Sequence, residues 1–467
     1  MIKSKLIKKI AVAALAAFMG ACVLGMGNSE AGTIVPGMGK KPPTAWKNPT
    51  PPAARPSTAG KQEETKKDTR STWKKTNDAE SIIKVGIASG VVKASISSVN
   101  GMHIFGVHDN RDYGDFRSNI VANLSVQGKA IAVNGKSSGA SALVFTPVTT
   151  SAGGRIKYNS NEYRGKLLAS VVDGQLLIVN LISLEDYVKG VLPSEMSPSW
   201  NMEALKAQAV AARTYALYTK NQKTHLGEGF DLCDSTHCQA YEGIANEATS
   251  ASAAVDATRG LVMTYQGRPI YAPYHASSGG VTENSEDVWG NNLPYLRSVK
   301  DNDAQSPYHN WSVSYTAAQV QKLLGAAGKN IGQLQSISVT SANGRAAKVQ
   351  FVGSGQTIEV TGQQARQIFG LKSTYFTIRT KRKPDAVLTQ KPNKKGQNEV
   401  IDVAPTAMNG GKLLVKNDKV EVIFDGHGFG HGLGMSQYGA KAMADAGKNY
   451  EDILHHYYTD IEIIKWY

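Results

Sequence analysis

The sequence predicts an α+β fold, with β-rich modules arranged around a domain that carries one long helix of small residues. Three observations predict it. Residues 82–87, 166–172 and 176–179 are short, mostly apolar runs punctuated by Gly, Asp and Asn, as in Asp173-Gly174, and read as strands. After Pro198-Ser199-Trp200 comes the longest helical signal, about 201–218, where Met202, Leu205, Ala209, Ala212 and Ala216 form one stripe. Most of that stripe is small, so another backbone can approach it closely. Beyond Tyr315, short helical patterns (317–324, 362–369) alternate with strand patterns (337–340, 348–352). A chain of 467 residues with 41% hydrophobic composition has room for two or three domains.

Taken in order, the first 31 residues read as an export segment. Lys3, Lys5, Lys8 and Lys9 precede an uncharged run from 10 to 27, and Ser29 and Ala31 stand at −3 and −1 of a cleavage point. An uncleaved anchor is one alternative, because 18 residues lie at the lower limit for spanning a bilayer, and lipidation at Cys22 is another. Membrane contact is expected only through this segment. Residues 32–78, with Lys41-Pro42-Pro43 and Pro49-Thr50-Pro51-Pro52, read as a solvated basic linker. A β-rich module is expected at 79–180. Residues 381–396 read as a loop, 419–424 as a strand, and a final helix is expected from about Ser436.

Charge narrows the function. The formal net charge is +14, but residues 1–78 hold 14 of the 52 basic and only 5 of the 38 acidic side chains. The folded part is therefore mildly basic, and no basic stripe argues for nucleic acid. Three cysteines exclude a disulfide-built scaffold.

Four segments carry candidate chemistry. In Pro193-Ser194-Glu195-Met196 a carboxylate sits in a turn between an apolar stretch and the long helix, with Leu192, Met196 and Trp200 placed to desolvate it. Desolvation raises a carboxyl pKa toward the range of a general acid, whereas an ordinary loop glutamate is solvated or caps a helix. On the long helix Lys206 and Arg213 are seven residues apart and fall on nearly one face, beside the small-residue stripe. They are either donors lining a cleft beside Glu195 or cations snorkelling from the core edge. His225, Cys233, His237 and Cys238 could supply a tetrahedral zinc set, and a local disulfide between the two cysteines is the alternative. The alternating glycines of Gly426-His427-Gly428-Phe429-Gly430-His431-Gly432-Leu433-Gly434 argue against a helical His pair and suggest a backbone pressed against other groups.

Together, segments 184–195, 203–217, 233–241, 274–280, 294–296 and 427–439 with Trp289 resemble the SpoIID/LytB family of bacterial cell-wall proteins, over roughly residues 82–467. The resemblance implies a catalytic core at 181–312, an inserted α+β module at 313–400, and a C-terminal part of the core at 401–467. It also implies an extracytoplasmic location in the cell envelope. It implies a peptidoglycan lytic transglycosylase that cleaves peptide-free glycan strands, with Glu195 as general acid and base. Lys206, Arg213, Tyr274 and Ser277 would then contact substrate in a cleft. A structural zinc on Cys233, His237 and Cys238 is also implied, although His225 stands farther from Cys233 than the family pattern. Amidase-enhancer members imply the other reading, a non-catalytic wall-binding activator of a cell-wall amidase.

Overall fold

The computed structural model describes residues 81–109, 111–149, 153–382, 413–414 and 420–467. The export segment expected at 1–31, the linker expected at 32–78 and most of the loop expected at 381–396 lie outside these residues. No described helix is long and apolar enough to cross a membrane.

The architecture is mixed α+β. Strand Ile82–Val91 pairs antiparallel with Gln175–Ser183, which pairs with Lys166–Val172. Strands Ala142–Pro147, Met102–Gly106 and Asp112–Phe116 extend this sheet to one side. On the other side the two-residue strand Leu232–Cys233 joins it in parallel, with Gly86 opposite Cys233. A second sheet is built on Lys93–Ser97 and Ala122–Gln127. Alternation decides which face is inside: Lys93–Ser97 buries Ala94 and Ile96 and leaves Lys93 in solvent. Ile96 and Leu124 share one apolar core with Ile104, Leu143 and Phe145 of the first sheet, and that core continues into the helices.

Helix α1 (Leu184–Glu195) follows directly from the last strand residue, Ser183, whose hydroxyl accepts the Asp186 N–H at 3.1 Å. Glu185 and Asp186 lie in the first turn, where the helix dipole favours them. The sequence reading leaves this stretch as an apolar run and a turn, because Gly190 and Pro193 look like breakers. Gly190 has a packing reason instead: a Cβ there would meet the Tyr241 ring at 2.6 Å and the Gly243 carbonyl at 2.8 Å.

Helix α2 (Met202–Gln222) starts where Asn201 Oδ1 accepts the Glu203 N–H at 3.0 Å, and stops at Lys223, which takes φ 55°. Ala204, Ala207, Ala209, Ala211, Ala212 and Ala216 are all fully buried. They let α1, helix Thr249–Ala257, helix Gln437–Asp445 and strand Leu261–Tyr265 pack against α2 from several sides. The absence of bulk on α2 thus makes it the central element of the core.

A second apolar cluster lies between residues 311 and 424 and contains Trp311, Phe351, Phe369, Phe376 and Phe424. Its strands Asn310–Thr316, Val420–His427 and Phe376–Arg382 form one sheet, and strands Leu334–Ala342 and Arg345–Gly353 belong to another. Helices Ala317–Ala326 and Gly362–Ile368 each open with a Thr/Gln capping box, at Thr316/Gln319 and Thr361/Gln364. Buried Arg345 reaches out of this cluster to Glu283 Oε1 at 2.7 Å.

After His427 the chain does not form a helix. Gly428, Gly430, Gly432 and Gly434 all take positive φ, and a Cβ at these positions would meet Ser277 O at 2.6 Å, His275 Cβ at 2.6 Å, Arg345 Nη2 at 2.7 Å and Pro273 O at 2.1 Å. The segment is laid directly on strand Tyr274–His275, which pairs in parallel with Met435–Ser436.

Candidate active site and metal cluster

Glu195 is the last residue of α1, not a loop residue, and is partly buried. The Met196 N–H closes the helix on Leu192 O at 2.9 Å. Glu195 Oε1 accepts the Ala240 N–H at 3.0 Å, and the carboxyl group also takes a hydrogen bond from the Tyr274 hydroxyl. Burial pushes its pKa above the ordinary carboxylate value, and these two hydrogen bonds only partly oppose that rise. The negative end of the α1 dipole acts in the same sense as burial.

Gln239 organises the acid's partners. Its amide donates to the Tyr274 oxygen at 3.0 Å and to Ala212 O of α2 at 3.3 Å, and its carbonyl accepts from Tyr187 of α1 at 3.2 Å. With Gln239 donating to its oxygen, the Tyr274 hydroxyl is free to point its proton at Glu195. Sequence reasoning missed Gln239 and the Ala240 N–H; the available signal was a polar side chain directly after the metal-type residue Cys238. Gln239→Leu leaves the buried Tyr187 hydroxyl without its acceptor, and is expected to cost about 1–3 kcal/mol in denaturant unfolding. A loss below about 0.5 kcal/mol would show that the network reorganises freely.

The metal-type donors converge one residue earlier. One ligand atom from each of His225, Cys233, His237 and Cys238 falls within 4.8 Å of all the others. His237 Nδ1 lies 3.6 Å from Cys233 Sγ and 3.5 Å from Cys238 Sγ, and His225 Nε2 lies 3.2 Å from Cys238 Sγ. Tetrahedral zinc with bonds of about 2.0–2.3 Å needs donor–donor edges of roughly 3.3–3.8 Å, and these three distances lie in or close to that range, so the donor chemistry suits such an ion. Both cysteines are free thiols. His225 reaches the cluster despite its sequence distance, because the turn Leu226–Glu228 and left-handed Gly229 fold the chain back. Its Nδ1 is 3.0 Å from Glu228 Oε1, an arrangement that protonates Nδ1 and leaves Nε2 as the donor atom toward the sulfurs.

The remaining expected site residues are distributed differently. Arg213 does not line a cleft. It is 0% exposed, and its guanidinium forks onto Glu185 at 2.9 and 2.7 Å while also donating to Leu261 O and Val255 O, both at 3.2 Å. The helical face is packed where Arg213 lies, so the role of Arg213 is in the core. Ser277 is likewise buried and gives its hydroxyl proton to Asp303, which also accepts Gly279 N–H at 2.8 Å. A substrate contact is therefore not assigned to either residue. Lys206 is partly exposed, bonded to Glu203 Oε1 at 2.7 Å and placed 5.8 Å over the Tyr450 ring. Tyr274, expected among the substrate contacts, bonds the acid itself.

Glu195, raised by burial at a helix end, thus stands on an α+β scaffold that also carries a sulfur–imidazole cluster, and the comparisons place the chain in a class of bacterial sporulation proteins. Residues 172–265, spanning α1, α2 and the metal-type loop, match the SpoIID family model, described as Stage II sporulation protein. Stage II sporulation protein D of Bacillus subtilis is 32% identical over 306 residues, covering 61% of this chain and 75% of that protein. An uncharacterized protein of Brachyspira hyodysenteriae is 31% identical over 310 residues, covering 66% and 74%. The amidase enhancer of Bacillus subtilis is 32% identical over 289 residues, a match that spans 58% of this chain and 39% of that protein. The chain belongs to the SpoIID family.

Proposed function

We propose that this protein is an exported lytic transglycosylase of the bacterial cell wall, acting on peptidoglycan glycan strands that have lost their stem peptides. The observation that carries the reading is Glu195: one carboxyl group, raised by burial and held by the Ala240 N–H and the Tyr274 hydroxyl. Protonated Glu195 gives its proton to the glycosidic oxygen as the bond between N-acetylmuramic acid C1 and the N-acetylglucosamine oxygen breaks. The resulting carboxylate takes the proton from the muramoyl C6 hydroxyl as that oxygen bonds to C1, forming the 1,6-anhydro ring. The proton count closes on one residue, and no attacking water is required. Tyr274 steadies the carboxylate between the two steps. Lys206 is the remaining candidate for contacting substrate, through the part of its side chain left in solvent. A zinc ion on His225, Cys233, His237 and Cys238 would have a closed ligand set and supply structure rather than chemistry.

The relative named amidase enhancer, also 32% identical but matched over 39% of its length, supports a second reading, a wall-bound activator of a separate amidase. Product analysis separates them. Mass spectrometry of peptide-free glycan strands incubated with the protein should show 1,6-anhydromuramoyl ends. Glu195→Gln should slow their formation by about 10²–10⁴-fold. Because the acid must be protonated, the rate should fall as pH rises through its elevated pKa. The same shift has a stability consequence: the folded state binds the Glu195 proton more tightly than the unfolded chain. Stability is therefore lost as pH climbs from the ordinary carboxylate pKa to the raised one, and Glu195→Gln should melt higher than wild type at pH 7 but not at pH 4. No anhydro product from the wild type would favour the activator.

A further inference from the structure

Phe429 is 37% exposed, yet its backbone is among the most constrained in the chain. Its N–H donates to Ser277 O at 2.7 Å, and Ser277 N–H donates to its carbonyl at 3.1 Å. It is flanked by Gly428 at φ 71° and Gly430 at φ 121°, both with no room for a side chain. Holding an apolar ring in solvent on so fixed a backbone serves neither the core nor solubility. The ring is not alone. Tyr308 meets Phe429 edge to face at 4.9 Å, Tyr438 lies 6.5 Å from Tyr308, and Trp200 meets Tyr438 edge to face at 4.9 Å. All three are partly exposed. Trp200 follows Glu195 by five residues in the turn between α1 and α2. The row therefore begins in the turn that follows the Glu195 helix end and ends on the glycine-rich segment. Lys372 lies 5.5 Å over Tyr308 and 5.8 Å over Phe429, and Lys441, which also pairs with Asp445, lies 6.0 Å over Trp200.

We propose that Trp200, Tyr438, Tyr308 and Phe429 form a preorganised aromatic shelf along which a glycan strand is laid, with Lys372 pairing the strand's free carboxylates. The occupant follows from the chemistry. Pyranose rings present apolar C–H faces that stack on aromatic rings, and sugar hydroxyls remain in solvent at the edges. A muramoyl residue without its peptide ends in a lactyl carboxylate, the partner a lysine beside the stacked ring would take. The inference rests on the wall-glycan reading of the Glu195 site and extends it from the scissile bond to the strand beyond.

The test uses the full chain carrying Glu195→Gln, so that binding is measured without turnover, with peptide-free glycan strands as the probe in calorimetry. Adding Phe429→Ala or Tyr308→Ala should each weaken binding on the order of tenfold, the loss typical of truncating one aromatic anchor. Tyr308→Phe keeps the ring and should bind nearly as before. Lys372→Met should weaken binding to the glycan strands but leave binding to chitin oligomers, which lack carboxylates, unaltered. Affinities within twofold for folded Phe429→Ala and Tyr308→Ala would overturn the shelf, and equal losses on both glycans would overturn the role given to Lys372. A wild type that cleaves nothing, whose affinity still drops with Phe429→Ala, would overturn the cleavage reading and leave the shelf standing.

Discussion

Arg213→Ala is expected to cost about 3–5 kcal/mol of folding stability at pH 7, read as a lowered denaturant midpoint, and to leave little folded protein at 37 °C. The guanidinium is wholly buried against Glu185, and removing it strands a carboxylate with only the Gly260 N–H at 2.9 Å and the Tyr467 hydroxyl as partners. In the wild type, burial opposes ionisation of Glu185, but Arg213, Tyr467 and Gly260 together hold its pKa below the usual range. Its contribution is therefore present at neutral pH and lost as pH falls through that low folded pKa. Without Arg213 the burial effect prevails and Glu185 takes up a proton, so the variant's deficit should shrink toward pH 4. Arg213→Met combined with Glu185→Leu should recover most of the loss, since paired apolar groups replace a buried ion pair at little cost. An unaltered midpoint in Arg213→Ala would overturn the core assignment and return Arg213 to the candidate substrate contacts.

Removing metal should act almost as strongly. The purified chain is expected to hold about one zinc ion, and a strong chelator at pH 7 should lower its melting temperature and bring a loss of glycan turnover with it. Structural zinc sites contribute on the order of 10 kcal/mol of binding energy to the folds that hold them. The loss of turnover would travel through two residues. Cys238 is followed by Gln239, which orients Tyr274, and by Ala240, whose N–H holds Glu195. A loop loosened at its sulfurs releases both. His225→Ala and Glu228→Ala should each weaken zinc affinity, the latter by about 10–100-fold through loss of imidazole orientation. Elemental analysis that finds no zinc, together with blocked thiols in denaturant and sensitivity to reductant, would replace the metal with a disulfide.

Much of this was legible in the chain. The strands at 82–87, 166–172 and 176–179, the long helix from about 201, and the refusal of the glycine-rich segment to be helical all rest on local chemistry: period, turn residues and backbone freedom. Helix α1 was not legible, because a glycine needed for the Tyr241 contact and a proline in the last turn imitate chain breakers. Arg213 and Ser277 were misjudged for a different reason. A charged or hydroxyl side chain carries no local sign of where its partner lies, and theirs come from 28 and 26 residues away. Lone polar residues in an alanine-rich helix are as readily core ion pairs as cleft donors, and only the fold distinguishes them. His225 shows the converse, since a turn at Gly229 cancels a spacing that looked too long.

The glycines at 428, 430, 432 and 434 have a consequence for reading ancestry. Each combines a positive φ with a space too small for any side chain, so no L-amino acid can replace it gradually. Selection on folding alone is enough to freeze such a segment, whether or not the chain that bears it still performs chemistry. A descendant that lost its acid at position 195 would keep the glycines and look unaltered in this stretch. In divergent members of the family this segment is therefore a record of shared architecture, and its persistence says nothing about whether the activity proposed for Glu195 is inherited.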